Sequence, residues 1–321
     1  MTREPEKLEF CGDGRLPSTG IDYWITARTY NLCFWLSSEK SYLFLPIEPT
    51  TIVALYPNGY YEAYSTTCIS EIEHYLHKVI GLSEDVSGFH EIALRDPLLS
   101  EFVSTYPGWR LRSTSTWWAL VTGICQQNAS FKQGWGMLHN IVLNYGYRVS
   151  IGGEVIPRPP QPREVLADPS PLIESRVGYR AKTILNVAKY FTSGGYEIDI
   201  SSMKPVEVER ELRRIKGVGQ YTARLAIALS QRRYELPPID RWLSKIIGFV
   251  YGVDEKYSEE YWVEKWGSWS ALASIAVTIA LDAEPLSKAL ERIRYGKLTP
   301  DPGLKQSPLN MYGFCNSSIN H

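Results

Sequence analysis

An α+β fold, with an antiparallel sheet first and a mostly helical body after it, is what this sequence of 321 residues predicts. Three observations carry that reading. From about residue 20 to 66 apolar and polar residues alternate, which is the period of a half-buried strand. From Ser70 onward the period becomes helical, with Ile72, Tyr75, Leu76 and Val79 on one face. Further along, Lys216-Gly217-Val218-Gly219-Gln220-Tyr221-Thr222-Ala223 sets a Gly-x-Gly turn between two helical stretches, Pro205 to Ile215 and Ala223 to Leu229.

The sheet elements are read in Tyr23-Trp24-Ile25-Thr26-Ala27-Arg28-Thr29-Tyr30, in Ser41-Tyr42-Leu43-Phe44-Leu45, and in Tyr60-Tyr61-Glu62-Ala63-Tyr64 after a Pro57-Asn58-Gly59 turn. Past the Tyr106-Pro107-Gly108 break, Thr116 to Leu143 reads as one or two buried helices rich in Trp and Leu. A Pro-rich connector, Ile156 to Pro162, leads to a second helical group near Pro171. Trp262 to Leu281 is apolar almost all round, as a core helix is. The expected division is a sheet domain over residues 1–104, a helical core over 105–290 with the hairpin at 205–230, and a tail over 291–321.

Composition is that of a globular protein, 44% hydrophobic, and no apolar stretch is long enough for a bilayer. The opening Met1-Thr2-Arg3-Glu4-Pro5-Glu6-Lys7 lacks the apolar core of a signal peptide. The expectation is a soluble intracellular protein, cytoplasmic or with the nucleoid or nucleus, with no membrane partner. The five cysteines are odd in number and scattered, so neither a disulfide framework nor a zinc site is expected. Net charge is −1, but Lys204 to Lys245 holds ten basic residues against five acidic ones. That local excess fits phosphate neutralisation as well as a solvated helical surface.

At a Gly-x-Gly turn, backbone amides at the start of the second helix can face an anion. A lone carboxylate follows in Pro237-Pro238-Ile239-Asp240-Arg241-Trp242, nineteen residues after Tyr221. The whole unit resembles the helix-hairpin-helix of the DNA glycosylase superfamily, whose catalytic Asp stands nineteen residues after a position that is Lys in bifunctional members. Two further stretches are similar to that family: Tyr106 to Leu111 leading into Gln126-Gln127-Asn128, and Val177-Gly178-Tyr179-Arg180-Ala181-Lys182. A sheet domain ahead of a two-lobed helical body is the layout of its 3-methyladenine glycosylase II and 8-oxoguanine branches. Only Cys315 lies beyond Asp240, so the four-cysteine iron–sulfur cluster of other branches cannot be built.

The resemblance implies a monomeric base-excision enzyme acting on double-stranded DNA that contains a damaged, flipped base. Lys216, Gly217, Val218, Gly219 and Thr222 would grip a phosphate. Gln126, Gln127 and Asn128 would fill the hole or meet the orphaned base. Asp240 would stabilise the departing sugar cation and activate water, kept ionised by the helix it caps. Tyr221, where the Schiff-base Lys would stand, implies a monofunctional hydrolase, with Lys216 and Lys245 as off-register alternatives. Trp118 and Trp269 are candidate pocket aromatics, which slightly favours cationic alkylated purines over oxidised ones, with uracil or mismatched thymine third. No cofactor is implied, a monovalent cation at the hairpin being the one option left open. A non-catalytic helix-hairpin-helix DNA-binding protein is the alternative from a different class.

Overall fold

The computed structural model describes residues 3–17, 20–37, 39–48, 50–68, 71–194 and 202–317. Met1 and Thr2, Ser70 at the expected helix start, and the last four residues of the expected tail lie outside them. The strands are β1 (Glu6–Lys7), β2 (Glu9–Arg15), β3 (Leu43–Glu48), β4 (Thr51–Leu55), β5 (Tyr60–Ser65), β6 (Arg148–Ile151) and β7 (Glu154–Pro157). Four of them form an antiparallel sheet in the order β2-β5-β4-β3, and β1-β6-β7 form a second, small sheet. The first helices are α1 (Tyr23–Arg28), α2 (Ile72–Ile80), α3 (Ser87–Ala93) and α4 (Ser100–Thr105). The body follows with α5 (Thr116–Gln126), α6 (Phe131–Tyr145), α7 (Pro162–Ala167), α8 (Ser170–Glu174), α9 (Arg180–Thr192), α10 (Pro205–Leu212) and α11 (Gln220–Gln231). It closes with α12 (Arg241–Tyr251), α13 (Ser258–Trp266), α14 (Ser270–Ala280), α15 (Leu286–Arg294) and α16 (Gly313–Ser317).

The expected strands at residues 41–45 and 60–64 fall in β3 and β5, but the one at Tyr23 to Tyr30 is helix α1. Asp22 caps it by accepting from the Ile25 amide at 2.9 Å, and Tyr23 and Ala27 pack on the sheet. Cap and packing outweigh the strand preference of its aromatic and β-branched residues. The expected long core helix is two, α13 and α14, because Gly267 takes a φ of +52° between them. Among the described residues no helix is long and apolar enough to cross a membrane.

Three apolar clusters organise the chain. Leu43, Leu45, Val53 and Leu55 bury one sheet face against α1 and α2. Phe44, Ile52 and Ala54 bury the other against α5 and α6. A third cluster joins α3 and α4 to α11, α12, α13 and α14. Phe89, Phe102 and Val103, which precede residue 105, pack in this third cluster. In the stretch after residue 290, Leu298 and Leu309 enter the third cluster, Met311 and Phe314 the second.

The cysteines also depart from expectation. Cys11 pairs with Cys68 and Cys33 with Cys315, leaving Cys125 free and buried. Their wide spacing in sequence hid the pairing, because the partners meet only after β2 lies beside β5 and the C-terminal segment returns to the turn before β3. With a sequence separation of 282, the Cys33–Cys315 bond closes almost the whole chain into one loop.

One buried cation ties the helical body together. Arg224 on α11 donates from Nε to Glu209 of α10 at 3.0 Å. Its Nη1 donates to Glu259 of α13 at 2.8 Å and to the Pro237 carbonyl at 3.2 Å. The side chains of Arg224 and Glu209 are only 10% and 9% exposed, so removing Arg224 leaves Glu209 with only its contact to the half-exposed Arg213. Arg224→Ala is expected to cost about 3–5 kcal/mol in denaturant unfolding, whereas Lys256→Ala, in an exposed pair with Asp254, costs less than about 1 kcal/mol. Replacing Cys33 and Cys315 together by Ser is expected to cost about 2–5 kcal/mol, and reductant should lower the melting temperature of the wild type more than that of this variant.

Candidate active site

The hairpin between α10 and α11 is built from the residues the sequence singled out. Gly217 takes a φ of +99°, and a Cβ there would lie 2.2 Å from Thr183 Oγ1 of α9, so only glycine fits. Val218 is buried, and its amide donates to the Ile215 carbonyl at 2.9 Å. That amide is therefore spent internally. Gly219 caps α11 with extended backbone, with open space where its Cβ would be. The amides that open α11 have no carbonyl partner within the helix, as at any helix start. Thr222 is turned inward, its hydroxyl accepting from Gln127 Nε2 at 2.9 Å, and it is not placed to meet a phosphate. Lys216 is exposed on the outer surface beside Lys189 and Arg214. The carbonyls of Ile215, Lys216 and Gly217 already accept from Val218, Asn186 and Gln127, so a cation at the hairpin would compete with those donors.

Asp240 caps α12, its Oδ1 accepting from the Leu243 amide at 2.8 Å. Asp240 is an exposed residue at the start of that helix. Burial pushes its pKa above the ordinary carboxylate value, while hydrogen bonds from the amides of Leu243, Trp242 and Asp240 itself pull it down. The helix end therefore tempers the desolvation without overcoming it. Tyr221 lies within electrostatic reach: burial first, and the Asp240 charge second, push its hydroxyl up, so it is a neutral phenol at physiological pH.

Tyr221 lines a cavity of about 840 Å³ that runs between α5, α6, α11 and α14. Trp118 lines it, as do Gln126, Tyr30 and Trp135, and the rings of the last two stack at 5.5 Å with 9° between planes. Trp269 does not. It packs on Phe89 and Tyr234 in the C-terminal lobe, the ordinary fate of a Trp at helical spacing. No lysine is among the residues lining the cavity.

Gln126, Gln127 and Asn128 end α5 beside the hairpin, because Gly123 lets α5 approach α11 so closely that a Cβ would meet Thr222 at 3.1 Å. They do different work. Gln127 Nε2 also donates to the Gly217 carbonyl at 3.1 Å, so this amide braces the hairpin and does not project as a wedge. Asn128 is exposed, with a φ of +47° and Nδ2 3.4 Å from the Tyr179 hydroxyl. The basic excess is likewise divided: Arg213, Arg214, Arg224 and Arg232 are held in ion pairs with Glu209, Glu211, Glu259 and Glu84, while Lys216 and Arg241 are exposed.

Among the cavity residues that the sequence reading did not single out are Tyr30 and Arg112. Arg112 follows directly on the Tyr106 to Leu111 segment, and the available signal was charge: no Asp or Glu stands between Glu101 and Glu154, so nothing local could pair with it.

No family model matches the chain. It is 24% identical over 212 residues to the DNA-3-methyladenine glycosylase of Bacillus subtilis (strain 168), an alignment covering 64% of this chain and 70% of that protein. Its fold is similar to that of the 3-methyladenine DNA glycosylase of Archaeoglobus fulgidus, with a TM-score of 0.67 and 17% identity over 88% of this chain and 99% of that one. It is also similar to the Clostridium acetobutylicum 8-oxoguanine glycosylase/lyase in complex with double-stranded DNA, with a TM-score of 0.63 and 18% identity over 90% of this chain and 98% of that one. The chain therefore shares its fold with these 3-methyladenine and 8-oxoguanine glycosylase structures.

Proposed function

We propose that this protein is a base-excision DNA glycosylase that hydrolyses the N-glycosidic bond of a flipped, damaged base and leaves the strand intact. The observation that carries this reading is Tyr221 on the wall of a cavity whose lining holds no lysine, with Pro238, two residues ahead of Asp240, on the same wall. The amides opening α11 would hold a phosphate beside the lesion, and exposed Lys216 and Arg241 would add salt-sensitive attraction. A base rotated out of the duplex would enter the cavity between its aromatic walls, at a cost of a few kcal/mol that these backbone contacts offset. As the bond to the base breaks, positive charge grows on the sugar. An ionised Asp240 stabilises it and takes a proton from the attacking water. Tyr221, a neutral phenol, forms no imine with C1′, so β-elimination has no covalent intermediate to start from. Acting on DNA implies an intracellular place of work for a protein that binds its duplex as a single chain.

Asp240→Asn keeps an N-cap and so should keep the fold and DNA binding. Base release in single-turnover assays should fall at least about a hundredfold. Because the carboxylate's pKa is raised and only its ionised form acts, the wild-type rate should decline on acidification from a pH above the ordinary carboxylate range. A rate flat down to pH 4 would contradict that. Borohydride should trap no protein–DNA adduct with the wild type, and an adduct abolished by replacing Lys216 or Lys245 would overturn the monofunctional reading.

A further inference from the structure

The cavity holds a positive charge that no carboxylate among the described residues answers. Arg112 lines it, and its one hydrogen bond in the structure runs from Nη2 to the Tyr30 carbonyl at 3.1 Å. Its Nε is buried without a partner, and among the described residues it takes part in no ion pair, although nine other arginine and lysine side chains do. Burial alone pushes its pKa down, to about 10, with no carboxylate pulling it back, Asp240 included. The group is still charged at neutral pH. A desolvated guanidinium without an anion is costly, and the cost falls when an occupant brings acceptors to it. Its planar donors match two neighbouring acceptors, such as the O6 and N7 of hypoxanthine, or a carbonyl oxygen of 8-oxoguanine, whose N7 carries a hydrogen. A base with a positive charge would meet like charge in the same low-dielectric space.

We propose that Arg112 is the specificity-determining residue of the cavity, admitting flipped bases with a neutral, carbonyl-bearing edge and turning away purines made cationic by alkylation. This rests on the glycosylase reading and reverses the slight preference that the aromatic residues alone suggest. Those walls would attract a cation, but Tyr30 and Trp135 stack on each other, and Arg112 hydrogen-bonds to the backbone of the same Tyr30. The place a cationic ring would seek is thus flanked by a cation already there.

The test is single-turnover base release from otherwise identical duplexes containing 8-oxoguanine, hypoxanthine or N7-methylguanine, by the wild type, Arg112→Met and Arg112→Lys. The ratio of two rates within one preparation does not depend on the fraction folded. The wild type should release at least one neutral base faster than N7-methylguanine. Arg112→Met, similar in length and uncharged, should shift that ratio toward N7-methylguanine by at least about tenfold. Arg112→Lys should go on excluding N7-methylguanine while losing rate on the neutral base, since it keeps the charge without the planar fork. Faster release of N7-methylguanine by the wild type, or a ratio unchanged in Arg112→Met, would overturn the assignment while leaving the glycosylase reading standing. Release of no base from any damaged duplex would sink both.

Discussion

The Arg224 cluster is the constraint on which the site depends. Glu209 belongs to the first helix of the hairpin, Arg224 to the second, Pro237 to the loop that delivers Asp240, and Glu259 to a helix of the C-terminal lobe. One guanidinium therefore fixes the phosphate-facing turn relative to the carboxylate. Its near-complete burial makes that fixing stiff, since any motion separating the partners exposes an uncompensated charge to a low-dielectric interior. The nineteen-residue spacing between Tyr221 and Asp240 is the sequence image of this arrangement: α11, a short return, and a cap at the start of α12.

Much of the site was legible because it is written in local chemistry. Gly217 must be glycine whatever surrounds it, and Asp240 before Arg241-Trp242-Leu243 is a helix cap on any scaffold. What escaped the sequence depends on contacts distant along the chain. The Cys33–Cys315 bond joins ends 282 residues apart, and nothing near either cysteine announces it. Trp118 and Trp269 look alike in sequence, yet one faces the cavity and the other the C-terminal core. Gln127 carries the amide expected of a wedge but spends it on Gly217 and Thr222. The alternation at Tyr23 to Tyr30 misled for a related reason: packing and a cap decide such a short segment, and both lie partly outside it.

Electrostatics inside the site also differ from the simple picture of a helix end stabilising an anion. The start of α12 does support Asp240, but crowding by protein dominates and lifts its pKa. A carboxylate held this way gains more from a developing positive charge than a well-solvated one would, because part of its desolvation is recovered when the sugar becomes cationic. Tyr221 contributes by remaining neutral, filling the place of an amine with a group that neither competes for Asp240 as a cation nor attacks the sugar. The site so described suits water as the nucleophile.

The central claim is hydrolysis of the base–sugar bond without strand cleavage, and it is tested most directly by following both bonds at once. Duplexes with different damaged bases, end-labelled, would be incubated with the protein and split into two portions, one analysed for free base by mass spectrometry and one run on a gel before and after hot alkali. The account predicts free base from at least one duplex, strands intact before alkali and broken after it. Strands already cut before alkali, in step with base release, would contradict it.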